Sequence, residues 1–167
     1  AEASAPLQAP KIFRFADVDE FRSSVRSLSV DFTPLVRTIS AEQSILNLPG
    51  CDVNFTKSFP RITDAQLAPH CTAVAFSMDD GAPIRFNGVE RDDSVIAIGG
   101  SGALYSSVET APRQYVSIIF RPEVTNRGWP LTGASFHVFE ASRSTFSKLR
   151  DLVRRVFAAA SEIGVIG

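Results

Sequence analysis

Between Val30 and Phe120 the chain is a succession of short β-rich runs, each cut off by turn residues, and this punctuation constrains the fold more than any other feature. The runs are Val30 to Thr33, Ser44 to Leu48, Val53 to Thr56, Thr72 to Met78, Ile84 to Phe86, Ser94 to Ile98, Leu104 to Val108 and Tyr115 to Phe120. Pro49-Gly50, Asp79-Asp80-Gly81 and Asn87-Gly88 separate several of them. Asn87-Gly88 is the sharpest signal, because both residues tolerate the positive φ that a two-residue hairpin turn demands. Gly99-Gly100-Ser101-Gly102 also reads as a tight turn: a phosphate-cradling loop needs a helix directly after it, and Ala103-Leu104-Tyr105 is strand-like. Eight or nine strands at this spacing predict an antiparallel sandwich or barrel.

Helical patterns flank the β-rich stretch. Asp17 can cap a helix over about residues 18–28, with Glu20 three residues on and Val18, Phe21, Val25 and Leu28 sharing a face. At the other end, residues 142–161 place Phe146, Leu149, Leu152, Val153, Val156, Phe157 and Ala160 at spacings of three and four. Arg143, Lys148, Arg150, Arg154 and Arg155 make the opposite face a basic, solvated one. The expected class is α+β, mainly β. Residues 1–10 read as a flexible arm or cloning remnant, 11–141 as the β-domain, and 142–167 as a terminal helix and the start of a linker. The apolar stripe is wider than one docking seam requires, so Leu149, Leu152, Val153, Val156 and Phe157 are expected to form a homodimer interface. Docking of the whole stripe on the barrel is the alternative.

Several function classes are disfavoured. Seventeen basic against eighteen acidic residues leave a formal charge of −1, with no overall field to attract nucleic acid or an anionic membrane. The longest apolar runs fall far short of the roughly 20 residues of a membrane span. Ala1 to Pro10 lacks the basic start and apolar centre of an export signal. Cys51 and Cys71 then suit a reducing cytoplasm, as small buried hydrophobes rather than a disulfide framework. His70 and His137 stand apart, without the clustered His and carboxylate set of a metal enzyme. Asp79-Asp80 and Asp92-Asp93 read as turn residues. No Gly-x-Ser-x-Gly elbow occurs, and no activating base is evident for either cysteine. The chain is therefore expected not to be an enzyme and to need neither metal nor cofactor.

Binding remains. Thirteen Phe, two Tyr and one Trp form a large aromatic store, much of it on predicted strands. Inward-facing members would line a small-molecule pocket. Phe55, Phe76, Arg85, Phe86, Tyr105 and Tyr115 are the candidate ligand-binding residues, and Arg61, Glu90 and Arg121 are further polar candidates beside strands. Trp129 is expected to plug one barrel end.

The order of several phrases resembles the sensor domains of one branch of AraC/XylS-type transcription regulators. They are Phe15-Ala16-Asp17-Val18-Asp19-Glu20-Phe21, Val30-Asp31-Phe32-Thr33-Pro34-Leu35, Phe59-Pro60-Arg61, Pro83-Ile84-Arg85-Phe86-Asn87-Gly88, Arg127-Gly128-Trp129-Pro130 and Leu149-Arg150. Together they reach from about residue 12 to 160. The resemblance implies a cupin-like β-barrel that senses a small effector, followed by dimerising helices and a helix-turn-helix domain. Gly167 leaves no room for two helix-turn-helix units, so contact with DNA would belong to a domain outside this chain. A cupin-like enzyme or isomerase acting on a small polar metabolite, and a ligand-free dimerisation scaffold, are the alternatives.

Overall fold

Period-two side-chain alternation organises twelve short segments into two antiparallel sheets, in a computed structural model that describes residues 8–92, 94–125 and 133–163. The seven-stranded sheet runs β1 (Lys11–Phe15), β3 (Ala41–Leu48), β4 (Cys51–Lys57), β11 (Gln114–Phe120), β6 (Thr72–Ser77), β9 (Val95–Gly99), β12 (His137–Glu140). The five-stranded sheet runs β2 (Leu28–Pro34), β5 (Arg61–Leu67), β10 (Leu104–Glu109), β7 (Ile84–Phe86), β8 (Val89–Arg91). Asn87 and Gly88 join β7 to β8 with φ of 48° and 78°, the hairpin their identities predict. Gly100 and Ala103 close the glycine-rich turn before β10 with a 3.0 Å backbone hydrogen bond.

Among the described residues three helices decorate this frame. Helix α1 (Val18–Ser24) begins where expected: the Asp17 carboxylate accepts from the Asp19 and Glu20 amides at 2.8 and 3.0 Å. It ends four residues early, because Val25 is extended and the chain must straighten by Leu28 to pair β2 with β5. Helix α2 (Pro122–Thr125) is a single turn. Gly50 faces it, and a Cβ there would stand 2.6 Å from a Val124 methyl carbon. Helix α3 (Arg143–Ile163) starts at Ser142, whose hydroxyl accepts from the Thr145 amide at 3.1 Å.

Helix α3 covers the outer face of the seven-stranded sheet. Leu46, Val53, Phe76 and Val116 from the strands meet Phe146, Val153 and Ala160 from the helix, and all seven are buried. Leu149, Val156 and Phe157 pack half-buried around that centre, whereas Leu152 is 52% exposed. A second cluster, Phe21, Phe32, Ile39, Ala41 and Phe59, joins α1 to the sandwich. A third, with Leu67, Ala73, Ala97, Ala103, Ile119 and Phe136, lies between the sheets at the opposite end. Gly99 makes room there: a Cβ would lie 2.5 Å from the Phe136 ring. The expected plug, Trp129, lies outside the described residues.

Candidate functional site

Between the sheets the two inner faces part around a cavity of about 530 Å³, within the range typical of small-molecule sites. The inner face of the seven-stranded sheet is set by the residues alternating with those under α3. Gln43, Thr56, Tyr115 and Ser77 form one cross-strand row, and Ile45, Asn54, Ser117 and Ala75 the next. On the facing sheet Arg61 stands opposite Glu109 and Thr63 opposite Ser107, with Ala65 opposite Tyr105. Lys11, Phe13, Arg26 and Asn47 are both lining and exposed, so they mark the mouth, beside edge strand β1 and the α1–β2 connection.

Arg61 dominates the inner end of the cavity. Only 3% of its surface is exposed, yet its guanidinium lies 4.6 Å from the Phe32 ring centre and 5.5–5.6 Å from those of Phe21, Phe59 and Tyr115. Such ring faces attract a cation, the more strongly where water is excluded. Nη2 donates to the Tyr115 hydroxyl at 2.8 Å, and Nε lies 3.4 Å from a Glu109 carboxylate oxygen, too poorly aligned for a hydrogen bond. Burial pulls against the charge of Arg61, but Tyr115 and Glu109 outweigh it and hold its pKa above the ordinary arginine value. Arg61 Nη1 and Nε and the Thr63 hydroxyl, all buried, have no hydrogen-bond partner among the described residues. Such groups are costly unless something completes them.

The other end of the cavity is aromatic. Phe86 and Tyr105 stack at 5.7 Å with planes 10° apart, and Phe136 meets both edge-on at 6.4 and 5.1 Å. Burial pushes the Tyr105 phenol well above its ordinary range.

Of the residues that the sequence nominates for ligand binding, Phe86, Tyr105 and Tyr115 line the cavity. Phe55 does not; its ring meets Phe157 of α3 on the outer face. Phe76 borders the cavity, but its ring packs edge-on against Phe146 under the same helix. Arg85 is exposed, because its neighbours Ile84 and Phe86 take the inward positions of β7. Arg121 pairs with Asp52 at 3.2 Å outside the lining, and Glu90 is exposed on β8. The pocket is also less aromatic than expected. Gln43, Thr56, Thr63, Ser77, Ser107 and Glu109 are all buried and line it.

His70 occupies a turn with φ of 63°, and His137 is exposed on β12. Among the described residues no three His, Cys, Asp or Glu side chains converge as a metal-ligand set. Cys51 and Cys71 are both free and half-buried. No helix of the described residues is long and apolar enough to cross a membrane.

Neither a family model nor a curated protein sequence matches the chain. Among solved structures, it is similar to the AraC-like transcriptional activator CuxR: 14% identity over 91% of this chain and 60% of that one, with a TM-score of 0.56. The chain thus spans about three fifths of CuxR and shares its fold over that stretch. The EutQ protein of Clostridium difficile (9% identity, 67% of this chain and 96% of that one, TM-score 0.40) is a more distant match. So is the putative glyoxylate induced protein of Pseudomonas aeruginosa (12% identity, 84% and 52%, TM-score 0.39). At those scores the last two add no weight. The cupin-like antiparallel sandwich with an N-terminal helix and a C-terminal amphipathic helix is the observed architecture.

Proposed function

We propose that this chain is the effector-sensing and dimerising part of an AraC-like transcription regulator, acting on DNA through a domain outside the chain. The observation that carries the reading is the cavity itself: a pre-formed space lined by polar groups, with the buried Arg61 Nη1 and Thr63 hydroxyl unpartnered among the described residues. The likeness in fold to part of CuxR supplies the regulatory context. In this reading the cavity binds its ligand without turning it over, uses no cofactor, and works in the cytoplasm.

A ligand alters the output of such a module only through different affinities for two states. Helix α3 is the element placed to report on the cavity. One face of the seven-stranded sheet lines the ligand space and the other carries the helix, so a shift of β4, β6 or β11 moves both. Most of the helix's apolar stripe is spent on the sheet, which narrows the surface available to a second copy to Leu152 and the outer flanks of Leu149 and Val156.

The test is a thermal-shift screen over amines, sugars, alcohols and aromatic acids, with light scattering of the purified chain. A specific binder at 100 times its Kd raises stability by about 2.7 kcal/mol. The reading expects such a compound, and a dimer that Leu152→Asp converts to a folded monomer. A screen without any stabilising compound overturns the sensing role, and a wild-type chain that stays monomeric at high concentration overturns the dimer.

A further inference from the structure

We infer that the ligand of the cavity carries an oxyanion, a carboxylate or phosphate group, that docks on Arg61 and Thr63. This rests on the effector-binding reading and narrows it to a chemical class. Arg61 and Thr63 are two apart on β5, so both side chains enter the cavity from one face. Arg61 presents Nη1 with two N–H donors, and Thr63 adds a hydroxyl. None has a partner among the described residues, and both side chains are more than nine-tenths buried. Tyr115 already accepts from Arg61 Nη2, which leaves its own O–H proton free to donate. Three kinds of donor therefore converge on one place.

Glu109 sets which edge of the guanidinium is offered. Its carboxylate sits on the Nε side, 3.4 Å away, and also receives the Ser58 hydroxyl at 3.4 Å. The opposite nitrogen, Nη1, is left for an incoming group. A single carboxylate without a well-aligned hydrogen bond compensates a buried guanidinium only in part, and a second oxyanion completes it. The four aromatic rings around Arg61 keep water away, which strengthens the contact.

Charge along the entry route agrees. Lys11 and Arg26 stand exposed at the mouth, while the nearest lining carboxylate, Asp52, is tied to Arg121. A mouth with this bias of charge concentrates small anions. Beside the docking point, Gln43 and Thr56 offer donors and acceptors, and Ser77, whose hydroxyl donates to the Asp79 carbonyl at 2.9 Å, offers an acceptor, so the body of the ligand is expected to carry hydroxyl groups.

The test is an NMR titration of the ¹⁵N-labelled chain at constant ionic strength with acetate, inorganic phosphate, acetamide and glycerol, following the Arg61 Nε–Hε signal and the Thr63 amide. Acetate or phosphate is expected to move both saturably, and which of the two binds more tightly identifies the anionic group. Acetamide, of the same shape without the charge, is expected to move neither. Thr63→Val should weaken the anion about tenfold, the equivalent of one hydrogen bond to a charged group. Arg61→Gln/Glu109→Gln, which removes both charges together, should abolish it; if that variant does not fold, Thr63→Val and Tyr115→Phe carry the test. Failure of both anions to move Arg61, or equal saturation by acetamide, overturns the inference. Effector binding would then still stand if the wider screen yields a neutral stabilising compound, and falls only if it yields none.

Discussion

The seven-stranded sheet presents two faces built from alternate residues of the same strands. On β4, Cys51, Val53 and Phe55 point outward and meet α3, whereas Asp52, Asn54 and Thr56 line the cavity. On β11, Val116 and Ile118 alternate in the same way with Tyr115, Ser117 and Ile119, and on β6, Val74 and Phe76 with Ala73, Ala75 and Ser77. The outer face is apolar and closely covered. The inner face mixes polar and small side chains with Ile45, Tyr115 and Ile119, and it faces buried donors that lack partners among the described residues. One set of strands therefore separates two tasks by parity alone: the odd residues of β4 stabilise the fold, and the even ones build a site at some cost to stability.

This division predicts effects of different size on the two faces. The largest belongs to the outer face. Phe146→Ala removes the buried ring on α3 that packs on Phe76 and should cost about 3–5 kcal/mol in urea unfolding, with ligand affinity per folded molecule changed far less than by an inner-face variant. A loss of affinity equal to that of an inner-face variant would show that the two faces are not separable in this way.

A smaller effect concerns alkaline pH. Tyr105 titrates higher in the folded chain than unfolded, because burial disfavours its phenolate. A raised pKa contributes stability that is complete below the unfolded value, about 10, and is lost as pH climbs above it toward the folded value. Stability should therefore decline above that pH, and Tyr105→Phe should make the decline shallower in pH-dependent melts. An unchanged slope would mean that the phenol is reached by solvent through the cavity.

The smallest effect is expected at Thr63. Its hydroxyl has no partner in the described structure, so Thr63→Val should leave stability unchanged or raise it by about 1 kcal/mol, unlike an ordinary buried threonine. A clear loss in thermal melts would show that the hydroxyl is satisfied within the free protein.

The same two faces explain what could be read from sequence. The Asn87-Gly88 hairpin, the α1 cap at Asp17 and the period of α3 are local signals and coincide with the structure. Phe55 and Phe76 could not be assigned to a face, because a strand covered on both sides shows no clean alternation between buried apolar and exposed polar residues. β5 carries no legible strand pattern for a related reason. Its buried positions start with Arg61 and Thr63 while Ile62 points the other way, so the pattern runs against the usual signal where the site is made. Arg61 is legible as one polar residue in Phe59-Pro60-Arg61, but its four rings come from β2, α1, β11 and the turn before β5, and only the fold brings them together. Edge strand β1 was invisible for want of a buried face: Ile12 and Phe13 remain 57% and 43% exposed.

The central claim, that the inner polar groups serve a ligand rather than the fold, is tested most directly by the unfolding free energy of Arg61→Met/Glu109→Leu. Replacing a buried ion pair by apolar residues of similar volume is often neutral or stabilising by about 1–4 kcal/mol, whereas removing one partner alone costs about 3–5 kcal/mol. The account predicts a double variant at least as stable as the wild type, with Arg61→Met alone clearly destabilised and both unable to bind the effector. A double variant that loses as much stability as the single one would contradict it, because the Arg61–Glu109 pair would then belong to the framework of the fold.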